Sequence, residues 1–147
     1  MAFQPHLTVA AIIERDGHYL VVEETVGGKR VINQPAGHVD DHESLIDAVR
    51  RETLEETGWA FEPEALVGLY RWRHPTNGET FIRASFTGTL GEQQHPTPPD
   101  AAILGTHWLT LAELGNGGWT LRSPLVTRCI DDYLAGQRHC LSLIIDL

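Results

Sequence analysis

With 147 residues, 41% of them apolar, the chain has enough material for one domain around one hydrophobic core. Eleven Lys and Arg against 20 Asp and Glu leave a formal net charge of −9, which argues against a nucleic-acid polymer or an anionic membrane as partner. An anionic ligand would have to meet a local positive charge, from an arginine cluster or a divalent cation.

The chain opens with the apolar run "TVAAII", too short for a signal peptide or a membrane span and without a preceding Lys or Arg. A cytoplasmic location is therefore expected. Around that run, "HLTVAAIIER" and "HYLVVEET" read as strands, joined by Asp16-Gly17, a strong hairpin signal. A short extended piece, "RVINQPAG", follows the Gly27-Gly28 turn.

From Ser44 to about Thr57 there is no Gly or Pro, and Leu45, Ala48 and Val49 recur at helical spacing. Gly58 stands where a left-handed C-cap is expected. After it, "ALVGLYRWRH" and "ETFIRASFTGTL" predict two strands joined by a turn around "PTNG". A proline-rich loop leads to a short strand, "THWLTL". The last helix is expected to start with Ser123 as N-cap and Pro124 in its first turn, to present Leu125, Cys129, Ile130 and Tyr133 on one face, and to close at Gly136. Cys129 and Cys140 show no CxxC or Cys/His spacing, so neither a zinc site nor a disulfide framework is expected. The order predicts a single domain over residues 1–147, a mixed-sheet α/β arrangement with two helices.

The stretch "RETLEETG" at 51–58 stands out. An ideal helix advances about 100° per residue; with Leu45 at zero, Glu52 falls at about 340°, Glu56 at about 20° and Glu55 at about 280°. The glutamates thus continue the apolar stripe, while Asp47, Arg50, Leu54 and Thr57 occupy the outward arc. Carboxylates on a core-facing stripe are costly unless paired, and the negative end of the helix dipole repels them further. A solvated acidic face paired with Arg50 and Arg51 is one reading. A hard divalent cation held by three carboxylates at i, i+3 and i+4, helped by the backbone carbonyl of Gly37, is the other.

Gly37, Glu43, Arg51-Glu52, Leu54, Glu55-Glu56, Thr57 and Gly58 stand at the spacing of the 23-residue signature box of the Nudix hydrolases, here Gly37 to Trp59. Thr53 and Trp59 depart from it, standing where aliphatic residues are usual. The segments "PHLTVAAII", "LVVEET", "NQPAGH", "LRSPLV" and "GQRH" extend the resemblance to phosphatase members of that family over most of the chain. The resemblance implies the Nudix fold, a mixed β-sheet sandwiched between α-helices. It also implies Mg²⁺-dependent hydrolysis, with Mn²⁺ as a substitute, of a small phosphorylated substrate. The expected substrates are nucleoside di- and triphosphates or hydroxymethylpyrimidine diphosphate, with release of orthophosphate. A monomer or homodimer is expected.

Carried over residue by residue, Glu52, Glu55, Glu56 and the Gly37 carbonyl would hold the metal. Glu52 would also activate the attacking water, Arg51 would orient the glutamates, and Glu43 would tie the loop to the helix. A carboxylate that many members place six residues before a tryptophan is replaced here by Ala102, ahead of Trp108, and Asp100 is the nearest acid. Lys29, Gln34, Arg71, Arg73 and Arg83 are candidates to bind substrate, and Tyr70, Trp72, Phe81 and Trp108 are aromatic residues able either to stack a ring or to fill the core. Two alternatives stay open: a pyrophosphatase for ADP-ribose or another nucleoside diphosphate derivative, and a non-catalytic nucleotide-binding module.

Overall fold

The computed structural model describes residues 2–147. In chain order the strands are β1 (His6–Ile12), β2 (Glu14–Arg15), β3 (His18–Val26), β4 (Lys29–Asn33) and β5 (Ala36–His38). Helix α1 (Leu45–Thr57) follows, then β6 (Trp59–Arg73), β7 (Thr80–Gln93) and β8 (Ile103–Thr110), and finally α2 (Leu111–Asn116) and α3 (Leu125–Leu134).

The first sheet has the order β5-β1-β7-β6. It is mixed: β1 runs parallel to β7, from His6 opposite Phe81 to Ile12 opposite Thr87, and the other pairs are antiparallel. In the second sheet β3 pairs antiparallel with β2, β4 and β8. The expected α/β arrangement is present, with one change in pairing. Asp16 and Gly17 do form a hairpin turn, both at positive φ (51° and 76°), but the strand they close is only the two residues of β2. The chain breaks at Ile13, so β1 enters the first sheet while β2 and β3 belong to the second.

Side chains alternate across a strand, and the two faces of the first sheet therefore bury different partners. Val9, Ala11, Ala84 and Phe86 pack against Ala48 and Val49 of α1. On the other side, Ile12 and Val67 pack with Cys129 and Ile130 of α3 and with Tyr19, Val21 and Ile32 of the second sheet. The first sheet is thus sandwiched between α1 and a layer made of α3 and the second sheet.

The helix ends follow their caps. Ser44 Oγ accepts the Asp47 N–H at 3.0 Å, and Gly58, at φ 80°, returns its N–H to the Leu54 carbonyl. Helix α3 starts one residue later than expected, with Pro124 rather than Ser123 at its N-cap; Ser123 Oγ still accepts the Leu125 N–H at 3.1 Å, and Gly136 takes φ 86° after the helix end. Helix α2 is an addition to the two helices expected, nucleated by Thr110, whose Oγ1 accepts the Glu113 N–H. Thr57, placed on the outward arc by the wheel, is buried instead. Its hydroxyl donates to the Thr53 carbonyl and accepts the Trp59 N–H, which folds it into the helix exit. No helix among the described residues is long and apolar enough to cross a membrane.

Candidate active site

Helix α3 covers only part of its face of the first sheet. Where it stops, a cleft of about 350 Å³ remains, walled by the last turns of α1, the β5 segment and the exposed ends of β6 and β7. The three-residue edge strand β5 brings Gly37 to the cleft beside Glu52 of α1.

One end of the cleft is acidic. Glu52 and Glu56 are only 9% and 6% exposed, as their place on the apolar stripe requires, whereas Glu55 lies at the margin of the stripe and is partly exposed. Gly37 is needed here for space. A Cβ on it would overlap the Glu52 carboxylate, so a larger residue would displace that side chain. Arg51 organises the group: its Nη1 donates to Glu52 at 2.9 Å and to Glu55 at 3.2 Å, while Nε and Nη2 reach Glu43 at 3.0 and 2.6 Å. Glu43 in turn accepts the Asp40 N–H, which ties the loop to the helix.

The electrostatics follow from burial. Burial, outweighing the Arg51 guanidinium, raises the Glu52 carboxyl above its ordinary range. Glu56 is pushed up to about 9, again chiefly by burial, although its Oε1 accepts the Ala36 N–H at 2.8 Å, and the negative charges of Glu52, Glu24 and Asp100 add to the rise. Glu43 moves the other way, lowered by its hydrogen bonds from Arg51.

Among the described residues no three His, Cys, Asp or Glu side chains already converge as a metal cage. The carboxylates are held by Arg51 and the Ala36 amide instead. Their chemistry nevertheless suits a hard cation: oxygen donors on consecutive turns, two of them buried, beside a glycine that leaves the carboxylate room.

The other end is basic. Arg83, 5% exposed, donates through Nη1 to Gln34 Oε1 and through Nη2 to Asn33 Oδ1, both at 3.0 Å, and its Nε has no partner. Burial lowers its pKa, the sign of a desolvated cation. Phe81 and Trp72, opposite each other in the β6–β7 register with ring centroids 5.8 Å apart, form an aromatic floor beside it.

The sequence candidates separate cleanly. Gly37, Glu52, Glu56, Arg83, Trp72 and Phe81 line the cleft, and Arg51 and Glu55 stand behind its acidic wall. Gln34 does not line it: both ends of its amide are used, the oxygen by Arg83 and the nitrogen by the Val126 carbonyl at 2.7 Å, so it serves to hold Arg83. Lys29, Arg71 and Arg73 do not line it either. Arg71 and Arg73 share a strand face, as alternation requires, but it is the exposed face opposite Tyr70 and Trp72. Lys29 is exposed at the start of β4. Tyr70 donates its hydroxyl to Asp132 at 2.7 Å beneath α3, and Trp108 packs against the Arg15 guanidinium away from the cleft. Asp100 turns its carboxylate onto the Ala102 N–H, and its own N–H caps the Glu55 carbonyl.

Glu24, Asn33 and Arg122 are among the lining residues that carried no functional expectation. Glu24 follows an irregularity in the β3–β8 ladder at Glu23/Glu24 and is half-buried; burial raises its carboxyl, and Arg122 partly offsets the rise. The one sequence sign for Arg122 is its place in "LRSPLV", directly before the capped start of α3.

The NUDIX domain family matches residues 4–128. The chain is 41% identical over 145 residues to "Phosphatase NudJ" of Escherichia coli strain K12, covering 98% of this chain and 93% of that protein. A solved NUDIX hydrolase from Nitrosomonas europaea superposes with a TM-score of 0.93 at 41% identity, covering 98% of both chains. The NUDIX domain of Shewanella oneidensis NrtR, solved with ADP ribose, shares the fold at 17% identity with a TM-score of 0.70, each chain covered to 89%. By family match, close relatives and fold, the chain belongs to the Nudix hydrolases.

Proposed function

We propose that the protein hydrolyses a phosphoanhydride bond of nucleoside di- and triphosphates, and of hydroxymethylpyrimidine diphosphate, and releases orthophosphate. Glu52, Glu55, Glu56 and the Gly37 carbonyl would hold Mg²⁺, for which Mn²⁺ would substitute. When bound, the cation neutralises phosphate charge and acidifies water. Glu52 accepts the proton of the attacking water on its carboxylate. Arg51 keeps Glu52 and Glu55 oriented. Arg83 faces the phosphate chain, and Phe81 and Trp72 hold the ring that it carries. Water is the nucleophile, so no side chain becomes covalently modified.

The observation that carries this reading is the meeting, in one cleft, of two buried glutamates and one buried arginine that no carboxylate neutralises. The relative named a phosphatase supports the choice of products. A phosphate-release screen over nucleoside di- and triphosphates, hydroxymethylpyrimidine diphosphate and ADP-ribose, with Mg²⁺ and with EDTA, tests it. Orthophosphate released only with Mg²⁺ is the expected result. AMP and ribose phosphate from ADP-ribose as the main products would overturn it.

A further inference from the structure

The basic end of the cleft holds a second arginine, Arg122, outside the 23-residue signature box. Arg122 lies in the segment leading into α3, which adds itself beside β4: the Ile32 N–H donates to the Thr120 carbonyl and the Arg122 N–H to the Ile32 carbonyl, both at 2.8 Å. These backbone bonds fix Arg122 next to Asn33, and its side chain lines the cleft with Arg83. Neither guanidinium makes an ion pair with a carboxylate among the described residues, although the half-buried Glu24 lies near enough to Arg122 to feel its charge. Arg51, Arg50, Arg30 and Arg128 each have an acidic partner, and among the described residues the other arginines without one, Arg15, Arg71, Arg73 and Arg138, lie outside this cleft. Arg83 has two amide oxygens on its Nη atoms and the Cys129 thiol nearby, but no carboxylate, in a site 5% exposed. Two cations turned into one small cleft repel each other, and an anion between them reverses the sign of that interaction.

We propose that Arg83 and Arg122 form a two-pronged clamp for one phosphate of the substrate, the one that bears the organic group and stays on the organic product. The assignment rests on the reaction proposed above. Position selects that phosphate. Phe81 and Arg83 are two residues apart on one face of β7, roughly 7 Å along the strand, so the clamp adjoins the aromatic floor. The glutamates stand at the other edge of the sheet, Glu52 against Gly37 of β5, in the strand order β5-β1-β7-β6. A substrate whose ring rests on Phe81 and Trp72 meets the arginines first and the carboxylates second. The bond that breaks lies between them, and the terminal phosphoryl leaves from the acidic end.

Titration of AMP and CMP, each beside its nucleoside, into protein held in EDTA reads the clamp without turnover. Wild type is expected to bind each monophosphate at least about tenfold more tightly than the nucleoside. Arg122→Gln is expected to remove most of that difference without changing nucleoside affinity, and Arg122→Lys to recover part of it. On the corresponding diphosphates, Arg122→Gln should raise KM about tenfold or more while kcat changes by less than about threefold. The bonds that anchor residue 122 are backbone bonds, so the variant keeps its place, and an unchanged melting curve checks this. Unchanged monophosphate affinity in Arg122→Gln overturns the clamp, as does equal weakening of nucleoside and monophosphate, a wild type that binds the two alike, or a loss of kcat with KM intact. The reaction fails separately: protein that discriminates the monophosphates but hydrolyses nothing keeps the clamp and loses the proposed chemistry.

Discussion

Helices α1 and α3 pack on opposite faces of the same sheet, and they bury different chemistry. Helix α3 buries Leu125, Val126, Cys129 and Ile130, an apolar stripe of the kind that stabilises by leaving water. Helix α1 begins the same way, with Ala48 and Val49, and then continues its buried stripe with Glu52, Thr53, Glu56 and Thr57. Two of the six buried residues on this stripe, Glu52 and Glu56, therefore work against folding, since burial raises both carboxyls from their ordinary range. The difference teaches where stability and chemistry are divided in this molecule: α3 and the first half of α1 hold the sheet, and the second half of α1 is committed to the cleft.

A reciprocal pair of variants breaks the comparison most sharply. Glu56→Gln is expected to cut Mg²⁺-dependent turnover by about 10³-fold or more while leaving stability in EDTA unchanged or raised, because the amide keeps the volume and is neutral when buried without having to take up a proton. Ile130→Ala is expected to lower stability by about 3 kcal/mol, since the side chain is wholly buried, while kcat of the folded fraction stays near wild type. Urea melts and phosphate-release kinetics on both proteins check this. Full turnover in Glu56→Gln would dissolve the division of labour.

A smaller effect separates the helices by pH. Glu56 is held up to about 9 against an ordinary 4.5, so between these values the folded chain keeps a proton that the unfolded chain has lost. Raising the pH then favours unfolding: stability in EDTA should fall from about pH 4.5 to about 9, by at most about 1.4 kcal/mol per pH unit for this one proton. Glu56→Gln should flatten that part of the slope, and Ile130→Ala should keep it. Urea midpoints at several pH values within the window measure it; an identical slope in wild type and Glu56→Gln would remove Glu56 as its source.

How much of this was legible depended on whether the deciding physics is local. The wheel placed Glu52 and Glu56 on the buried stripe because a helix face is fixed by spacing alone, and the structure buries both. Alternation paired Arg71 with Arg73 correctly but was silent on which face meets the cleft. That is decided by the register of β6 on β7, which turns Trp72 inward and leaves the arginines outside. The Asp16-Gly17 turn was readable, whereas the break at Ile13 that sends β1 and β3 to different sheets is a tertiary choice. Helix α2 carried a local signal, Thr110 three residues before Glu113, masked by the preceding strand pattern. Glu24 and Arg122 are far apart in sequence and share the cleft only through β3, β4 and the segment ahead of α3, which no local pattern reports.

The smallest test concerns Thr53, which lies between Glu52 and Glu56 on α1 and is 0% exposed. Its position would mark it as part of the site, but its surroundings say otherwise. It does not line the cleft, and its Oγ1 has no hydrogen-bond partner, although the Thr53 carbonyl accepts from Thr57. A buried hydroxyl without a partner destabilises, and valine has nearly the same shape. Thr53→Val is therefore expected to raise stability by about 1 kcal/mol, a shift of roughly 2–4 °C in Tm for a domain of this size, with kcat and KM unchanged. A stabilised and fully active variant would confine the functional share of α1 to its carboxylates. A loss of kcat with stability intact would extend that share to every polar residue on the stripe, and the boundary between the holding and the acting parts of the helix would move back by one turn.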